Sequence, residues 1–358
     1  MTVTPLSPST AHLTPEDIEQ FGIALDAIRA EVIETRGERD ATYIRNVIKL
    51  QRGLELGGRA VLFAGVLPPA WIAGTAALSA AKILENMEIG HNVMHGQWDW
   101  MRDPKIHSTT WDWDNASPAG QWKHSHNFVH HTYTNVLDKD RDIGYAVLRI
   151  TPEQPWNVWR LGQPVYAALL AMFFEYGVAL HDLEVEKIRS GEKSIAEARP
   201  QLREIGKKVG RQAAKDYVAF PLLAAPFGAL LPVLTANFTA NIVRNVWSNV
   251  VIFCGHFPDG VEVFDEEHLE NETRGQWYLR QLLGSANISG GPLMHLATGN
   301  LSHQIEHHLF PDLRSNRYAE IAPHVRALCE KYDLPYHTAS LRSQITSTWK
   351  KIVRLALP

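Results

Sequence analysis

The sequence predicts an all-α protein: an integral-membrane helical bundle of about four spanning helices in two hairpins, with a cytoplasmic helical cap around a histidine-rich di-metal site. Three observations lead there. Stretches nearly free of charge alternate with amphipathic ones, histidines are concentrated in three short clusters, and the clusters stand at the ends of the apolar stretches rather than inside them. Of 17 histidines in 358 residues, eight fall within 91–95, 126–131 and 303–308.

No linker rich in Pro, Gly or Ser divides the chain, which reads as N-terminal cytoplasmic amphipathic helices over 1–56 and a single membrane unit over 57–358. Met1 to Ala11 lacks a basic start followed by an apolar core, so no cleavable signal is expected. Thr14-Pro15-Glu16-Asp17 has the form of a helix start, with an N-cap, a proline at the first position and acids in the first turn. Phe21, Leu25, Ile28 and Val32 follow at helical spacing, with an end near Gly37. A second amphipathic stretch, about 40–56, suits either an ordinary surface helix or one lying on a membrane face.

From Gly57 to Gly90 the only formal charges are Arg59, Lys82, Glu85 and Glu88. This exceeds one bilayer crossing of about 20 residues and falls short of two plus a turn, so a tight hairpin or one kinked span is expected, interrupted at Pro68-Pro69. Trp98, Trp100, Trp111 and Trp113 suit a membrane interface. Residues 163–180 are apolar and either span or form an interfacial helix. Nine Lys or Arg between Asp182 and Lys215 belong on the cytoplasmic side. Tyr217–Asn237 and Phe238–His256 then form the second hairpin, split by Asn237, Asn241, Arg244, Asn245 and Asn249. The result is a multi-pass protein of the cell membrane with the clusters and both termini in the cytoplasm.

A net charge of −4 offers no basic surplus for nucleic acid. Two cysteines exclude a disulfide framework, a zinc ribbon and a cysteine-ligated iron–sulfur cluster, which leaves His and carboxylate as ligands. Residues i and i+4 share a helix face, a spacing met by His91/His95, His126/His130 and His303/His307. Eight histidines exceed the three protein ligands of a catalytic zinc. Two ions suit the count better. Without thiolates iron is a reasonable occupant, although the affinity order leaves zinc, copper and nickel open. Such a site beside a membrane suits dioxygen activation against an unactivated C–H bond of a lipid chain, because no side chain supplies so strong an oxidant. The chain has no Gly-x-Gly-x-x-Gly stretch and no haem-binding extension, so electrons must come from separate proteins.

HNVMH at 91, HNFVHH at 126 and HQIEHH at 303, with Trp122-Lys123, Thr134-Asn135, Gly299-Asn300 and Leu309-Phe310-Pro311 beside them, resemble the three histidine boxes of the integral-membrane fatty acid desaturases. GHFPDG at 255–260 and HLFPDLRSNRY at 308–318 are similar to the actinobacterial acyl-CoA desaturase branch, over about Arg59–Arg326. The resemblance implies that His91, His95, His126, His130, His131, His307 and His308 bind two irons, that His256 joins them from the end of the last membrane helix, and that O2 is the co-substrate. It implies a fatty acyl substrate, on coenzyme A or in a lipid, and an external donor of ferredoxin, rubredoxin or cytochrome b5 type with its reductase. The third box departs from the family form because Gln304 stands where a histidine is usual; either His303 replaces it or Gln304 reaches the metal through water. Asn300, Glu306, Asp138 and Asp142 are candidates to orient the ligating imidazoles, with a helix-surface acid and a solvated turn as the plain alternatives for the acids. His124, His181 and His295 read as structural.

The same site would serve a membrane hydroxylase. A zinc membrane hydrolase is less favoured, because Asn92 stands where HExxH needs its glutamate. A metal transporter would set its histidines at mid-membrane depth.

Overall fold

Helix starts in this chain follow capping chemistry, and the computed structural model, which describes residues 6–358, shows it from the first long helix. Helix α1 (Pro15–Glu34) begins where Thr14 and Asp17 cap each other reciprocally. Helix α2 (Glu38–Leu62) begins at Gly37 and runs without a break through residue 57, so the expected boundary between amphipathic helices and membrane unit falls inside one helix. Residues 1–5 of that N-terminal stretch lie outside the described residues.

Helix α2 and helix α3 (Pro68–Leu84) are the two arms of the first hairpin, which therefore starts near residue 38 rather than 57. Their contact depends on glycines. A Cβ on Gly74 would stand 2.7 Å from Leu62 Cγ and 3.0 Å from the Gly58 carbonyl oxygen, and one on Gly58 would stand 3.1 Å from the Gly74 oxygen.

The 163–180 stretch is two helices, α4 (Gln163–Met172) and α5 (Phe174–Asp182). Among the described residues no single helix is long and apolar enough to cross a membrane; Val158–Met172 and Phe174–Asp182 reach that standard only as a pair bent by 97°. The basic stretch forms a short helix at Val185–Ser190 and then helix α6 (Ile195–Ala213), which continues through a wide turn at Ala214–Ala219 to Phe227.

The second hairpin turns at Gly228, whose φ of +69° favours glycine, and not at Asn237. Helix α7 (Leu230–His256) is unbroken across 27 residues. Asn237, Asn241, Arg244, Asn245, Ser248 and Asn249 recur at helical spacing and form one buried stripe. They face buried charges that must be paired to be tolerated. Arg244 reaches Glu175 at 2.5 Å, Asn237 donates to the Asp216 carbonyl at 2.6 Å, and Asp216 takes Lys82 at 2.9 Å and Arg59 at 3.2 Å.

The cap is completed by α8 (Arg274–Leu283), α9 (Gln304–Leu309), α10 (Tyr318–Lys331) and α11 (Leu341–Arg354). The all-α expectation is right but for one feature: β1 (Asn287–Ser289) and β2 (Thr338–Ser340) pair in parallel. The largest apolar core lies in the cap, where Phe21 and Leu25 of α1 pack with Tyr278, Leu282, Ile305, Phe310 and Ile321. It backs the third histidine cluster.

Gly74→Val is expected to cost about 1–3 kcal/mol, the usual range for overpacking. Thermal unfolding in detergent measures it, and adding Leu62→Ala in the same chain should recover part of the loss.

Candidate metal centre

Each cluster is delivered by an irregular piece of backbone. Helix α3 widens into a π-helical turn at Glu85–His91 and ends at His95. The second cluster lies on another π-helical turn, Lys123–His130, followed by His131–Tyr133. Such wide turns favour functional sites. The third follows a left-handed turn at Gly299 (φ +68°) and Asn300 (φ +57°); a Cβ on Gly299 would come within 2.4 Å of the Met87 oxygen. His256 is the last residue of α7.

These segments bring eight histidines together. His91, His95, His126 and His307 place one ring nitrogen each within 4.8 Å of one another, and so do His130, His256 and His308. His131 lies between the groups, its ring 4.7 Å from His95, 4.9 Å from His307 and 4.5 Å from His308. His126 and His130, four residues apart, divide between these two groups and also meet in a third, with Asp142.

Outer contacts fix the rings. His130 Nδ1 lies 3.0 Å from Asp140 Oδ2, His307 Nδ1 3.2 Å from the Tyr318 hydroxyl, His308 Nδ1 3.1 Å from Gln281 Oε1, and His256 Nδ1 3.3 Å from the Gly284 oxygen. Their Nε2 atoms turn inward, where His91 meets His307 at 3.3 Å and His256 meets His308 at 3.2 Å. Two imidazole lone pairs do not attract. Nor do His95 Nε2, His126 Nε2 and either nitrogen of His131 have any partner, although all are buried. Buried nitrogens without partners are costly unless something binds them. Nitrogens on one transition-metal ion at about 2.1 Å stand up to about 4.2 Å apart, so small side-chain movements would close each group on an ion. The donor set fits two metal ions.

Electrostatics agree. Burial, reinforced by neighbouring imidazoles, holds His95, His131, His307 and His308 well below the usual imidazole range, so they are neutral and keep a lone pair for a metal. For His130 burial works the same way, but Asp140 and Asp142 outweigh it and raise the ring to about 9.

The other expected residues divide. Asp142 is at the site: Oδ1 lies 3.0 Å from His181 Nε2 and Oδ2 3.7 Å from His130 Nδ1. Gln304 is too, with Nε2 2.9 Å from His256 Nε2 and Oε1 unpartnered. It fits only because residue 255 is glycine, whose Cβ would stand 2.8 Å from Gln304 Cγ. His303 stands apart, its ring 4.5 Å from His295. Its backbone (φ −102°, ψ 57°) is not helical, so the i, i+4 argument does not reach it.

Asp138 is exposed on a turn. Glu306 is neither beside the groups nor on a helix surface: it is fully buried, takes hydrogen bonds from Tyr336 at 2.7 Å and Asn287 at 2.9 Å, and is pushed by burial up to about 7. Asn300 acts one step back, donating to Glu88 at 2.8 Å, while Glu88 also accepts from Ser315 at 2.6 Å. Asp140, Gln281, Tyr318 and Glu88 escaped the sequence reading. Asp140 stood in the acidic run from which its neighbours were chosen, and Tyr318 closes the HLFPDLRSNRY stretch.

The fatty acid desaturase family profile matches residues 67–340. The chain belongs to this family. It is thus an oxidoreductase that desaturates fatty acyl chains with dioxygen. It is 54% identical over 350 residues to the NADPH-dependent stearoyl-CoA 9-desaturase of Mycobacterium tuberculosis, covering 97% of this chain and 82% of that one. It is 24% identical over 335 residues to the sn-1 linoleoyl-lipid 6-desaturase of Synechocystis, covering 91% of each, and 31% identical over 232 residues to the acyl-lipid (7-3)-desaturase of Diacronema lutheri, covering 63% and 50%. No solved structure matches it.

Asp140→Ala should weaken metal retention about 10- to 100-fold, as loss of a group that orients a ligating imidazole does. Metal content after dialysis against graded chelator measures this, with Asp138→Ala expected to match the wild type.

Proposed function

We propose that this desaturase introduces a cis double bond into a fatty acyl chain carried on coenzyme A, at a pair of irons. His91, His95, His126 and His307 would hold one iron, and His130, His256 and His308 the other, with His131 completing either set. The observation that carries the reading is the inward convergence of Nε2 atoms whose Nδ1 atoms are held from outside. The coenzyme A carrier is supported by the substrate named for the 54% identical mycobacterial relative.

When bound, the irons supply the oxidant that no side chain can provide. Removing two hydrogens from adjacent carbons and reducing dioxygen to two waters needs two more electrons and two protons. With no cofactor motif in the chain, the electrons come from a separate reductase with a ferredoxin, rubredoxin or cytochrome b5 type carrier. The residues' own work is placement. A cavity beside the first histidine group is lined by His91, His126 and Trp122, by Phe174, Val178 and Ile252 on one side and by Asp142, Glu175, Asp182 and Arg244 on another, and the acyl chain would approach the histidines along its apolar side. Trp122 stacks on His126 at 4.4 Å and presents an edge to His91, shielding that group from water. Gln281 and Tyr318 keep the inward nitrogens of His308 and His307 unprotonated by holding the outward ones, and Asp140 aims the His130 ring from its outward side.

The reading includes a membrane. The tips of the two hairpins meet, Phe63 stacking on Phe227 at 5.5 Å and Trp71 donating to the Pro232 oxygen at 3.1 Å. Around them Val66, Leu67, Ile72, Leu222, Leu223 and Leu231 are exposed. An apolar surface of this kind suits lipid. In this arrangement the chain from α2 onward is one membrane unit in the cell membrane, with the histidines and both termini in the cytoplasm.

Expression in a heterologous host with a reductase and carrier, followed by mass spectrometry of fatty acid methyl esters, tests the proposal. The expected product lacks two hydrogens, and His308→Ala abolishes it. A product one oxygen heavier would make the enzyme a hydroxylase. One zinc in place of two irons would refute the metal assignment.

A further inference from the structure

We propose that Arg52, Lys207 and Arg211 bind the phosphate groups of the acyl carrier, and that the cleft they rim opens toward the metal-side cavity past Trp113 and Asn115. This rests on the reading that the acyl chain enters that cavity.

The cleft lies between α2, the end of α3, the 110–115 loop and α6, with a cavity volume of about 560 Å³. That falls within the roughly 300–1,000 Å³ of small-ligand pockets, and its open side leaves a head group partly in water. Six cations line it, namely Arg52, Lys82, Lys207, Lys208, Arg211 and Lys215, against four acids, Glu55, Glu85, Asp112 and Asp114. Most are already engaged. Lys82 and Lys215 hold Asp114 at 3.1 and 2.6 Å, Lys208 pairs with Asp112, and Glu55 pairs with Arg59 at 3.1 Å. Arg52, Lys207 and Arg211 have no ion pair or side-chain hydrogen bond among the described residues, and all three are exposed. Lys207 and Arg211 are four apart on α6 and share a face, with Arg52 across the cleft on α2. Phosphate is the anion such a cluster suits, since guanidinium forks and ammonium groups form charge-assisted bonds to its oxygens.

The cleft also lies against the cavity beside the histidines. Trp113 and Asn115 wall both it and the cavity lined by His91 and His126. Lys208 donates to the Trp113 carbonyl at 2.7 Å, the Trp113 ring meets Trp122 at 5.1 Å, and Trp122 stacks on His126. Asn115 donates to Asn86 at 2.8 Å, within the turn that delivers His91. A head group at the rim therefore points its acyl chain at the first histidine group.

The test compares the full-length, metal-loaded enzyme in nanodiscs as wild type, as R52A/K207A/R211A, and as the control R189A/R199A/K350A, which removes equal charge elsewhere on the surface. Substrates are stearoyl-CoA, stearoyl-pantetheine, which keeps the thioester without phosphates, and stearoyl phosphatidylglycerol. The KM for stearoyl-CoA should rise about tenfold or more in the first triple variant and less than about twofold in the control, with stearoyl-pantetheine insensitive to both. A loss confined to phosphatidylglycerol would support the phosphate site and assign it to a lipid head group. Equal KM values for both phosphate-bearing substrates in the two triple variants would overturn the proposal. Equilibrium dialysis of coenzyme A itself reads the site without turnover: weaker retention by the first triple variant than by the control supports it, equal retention overturns it. Failure of the wild type to desaturate any of the three would instead count against the proposed function.

Discussion

Much in this molecule depends on holding four of the eight clustered imidazoles by their far sides. A histidine ring has two nitrogens, and a site that needs lone pairs from several of them must stop each ring from turning its other nitrogen inward. Here the outward nitrogens of His130, His307, His308 and His256 end on a carboxylate, a phenol, a side-chain amide and a backbone carbonyl. Those anchors come from the loop after the second cluster, from α10, from α8 and from the segment after it, so the cap must be assembled before the inward nitrogens are aimed. This explains why the largest apolar core lies behind the third cluster rather than between the hairpins.

The two halves of the fold solve opposite problems. The cap buries apolar side chains in the ordinary way. The hairpins bury charge: the stripe on α7 faces Lys82, Asp216, Arg59 and Glu175, and every one of these has a partner of opposite sign. A buried pair contributes little net stability, yet losing one member strands the other. The stripe fixes how α7 is rotated against α3, and that rotation sets where His256 emerges beside His308.

The histidine clusters were legible in the sequence because metal-binding chemistry concentrates one rare residue type at short spacing. Their anchors were not. Gln281 lies 27 residues from His308, Tyr318 lies 11 from His307, and nothing local marks either as a partner. The turn of the second hairpin was misplaced for a simpler reason: Asn237, Asn241 and Asn245 read as a break in an apolar run, whereas at four-residue spacing they form a stripe, and the actual turn was marked by Pro226 and Gly228. His303 shows the limit of spacing arguments, since i and i+4 share a face only where the backbone between them is helical. The small parallel strand pair, three residues on each side, was too short to leave a pattern.

The two wide turns carry an implication for how such a centre tolerates change in chain length. An α-helix rotates by about 100° per residue, and a wide turn arises when one residue more than the regular count is fitted into the spiral. In Glu85–His91 and Lys123–His130 that surplus residue sets the angle at which every later side chain leaves the axis. Losing it would leave composition and motif intact while swinging His91, or His130 and His131, a quarter-turn or more off the centre. The spacing within these boxes is thus a matter of arithmetic on the backbone, whereas the exposed loop around Gly191 can lengthen or shorten without consequence for the metals.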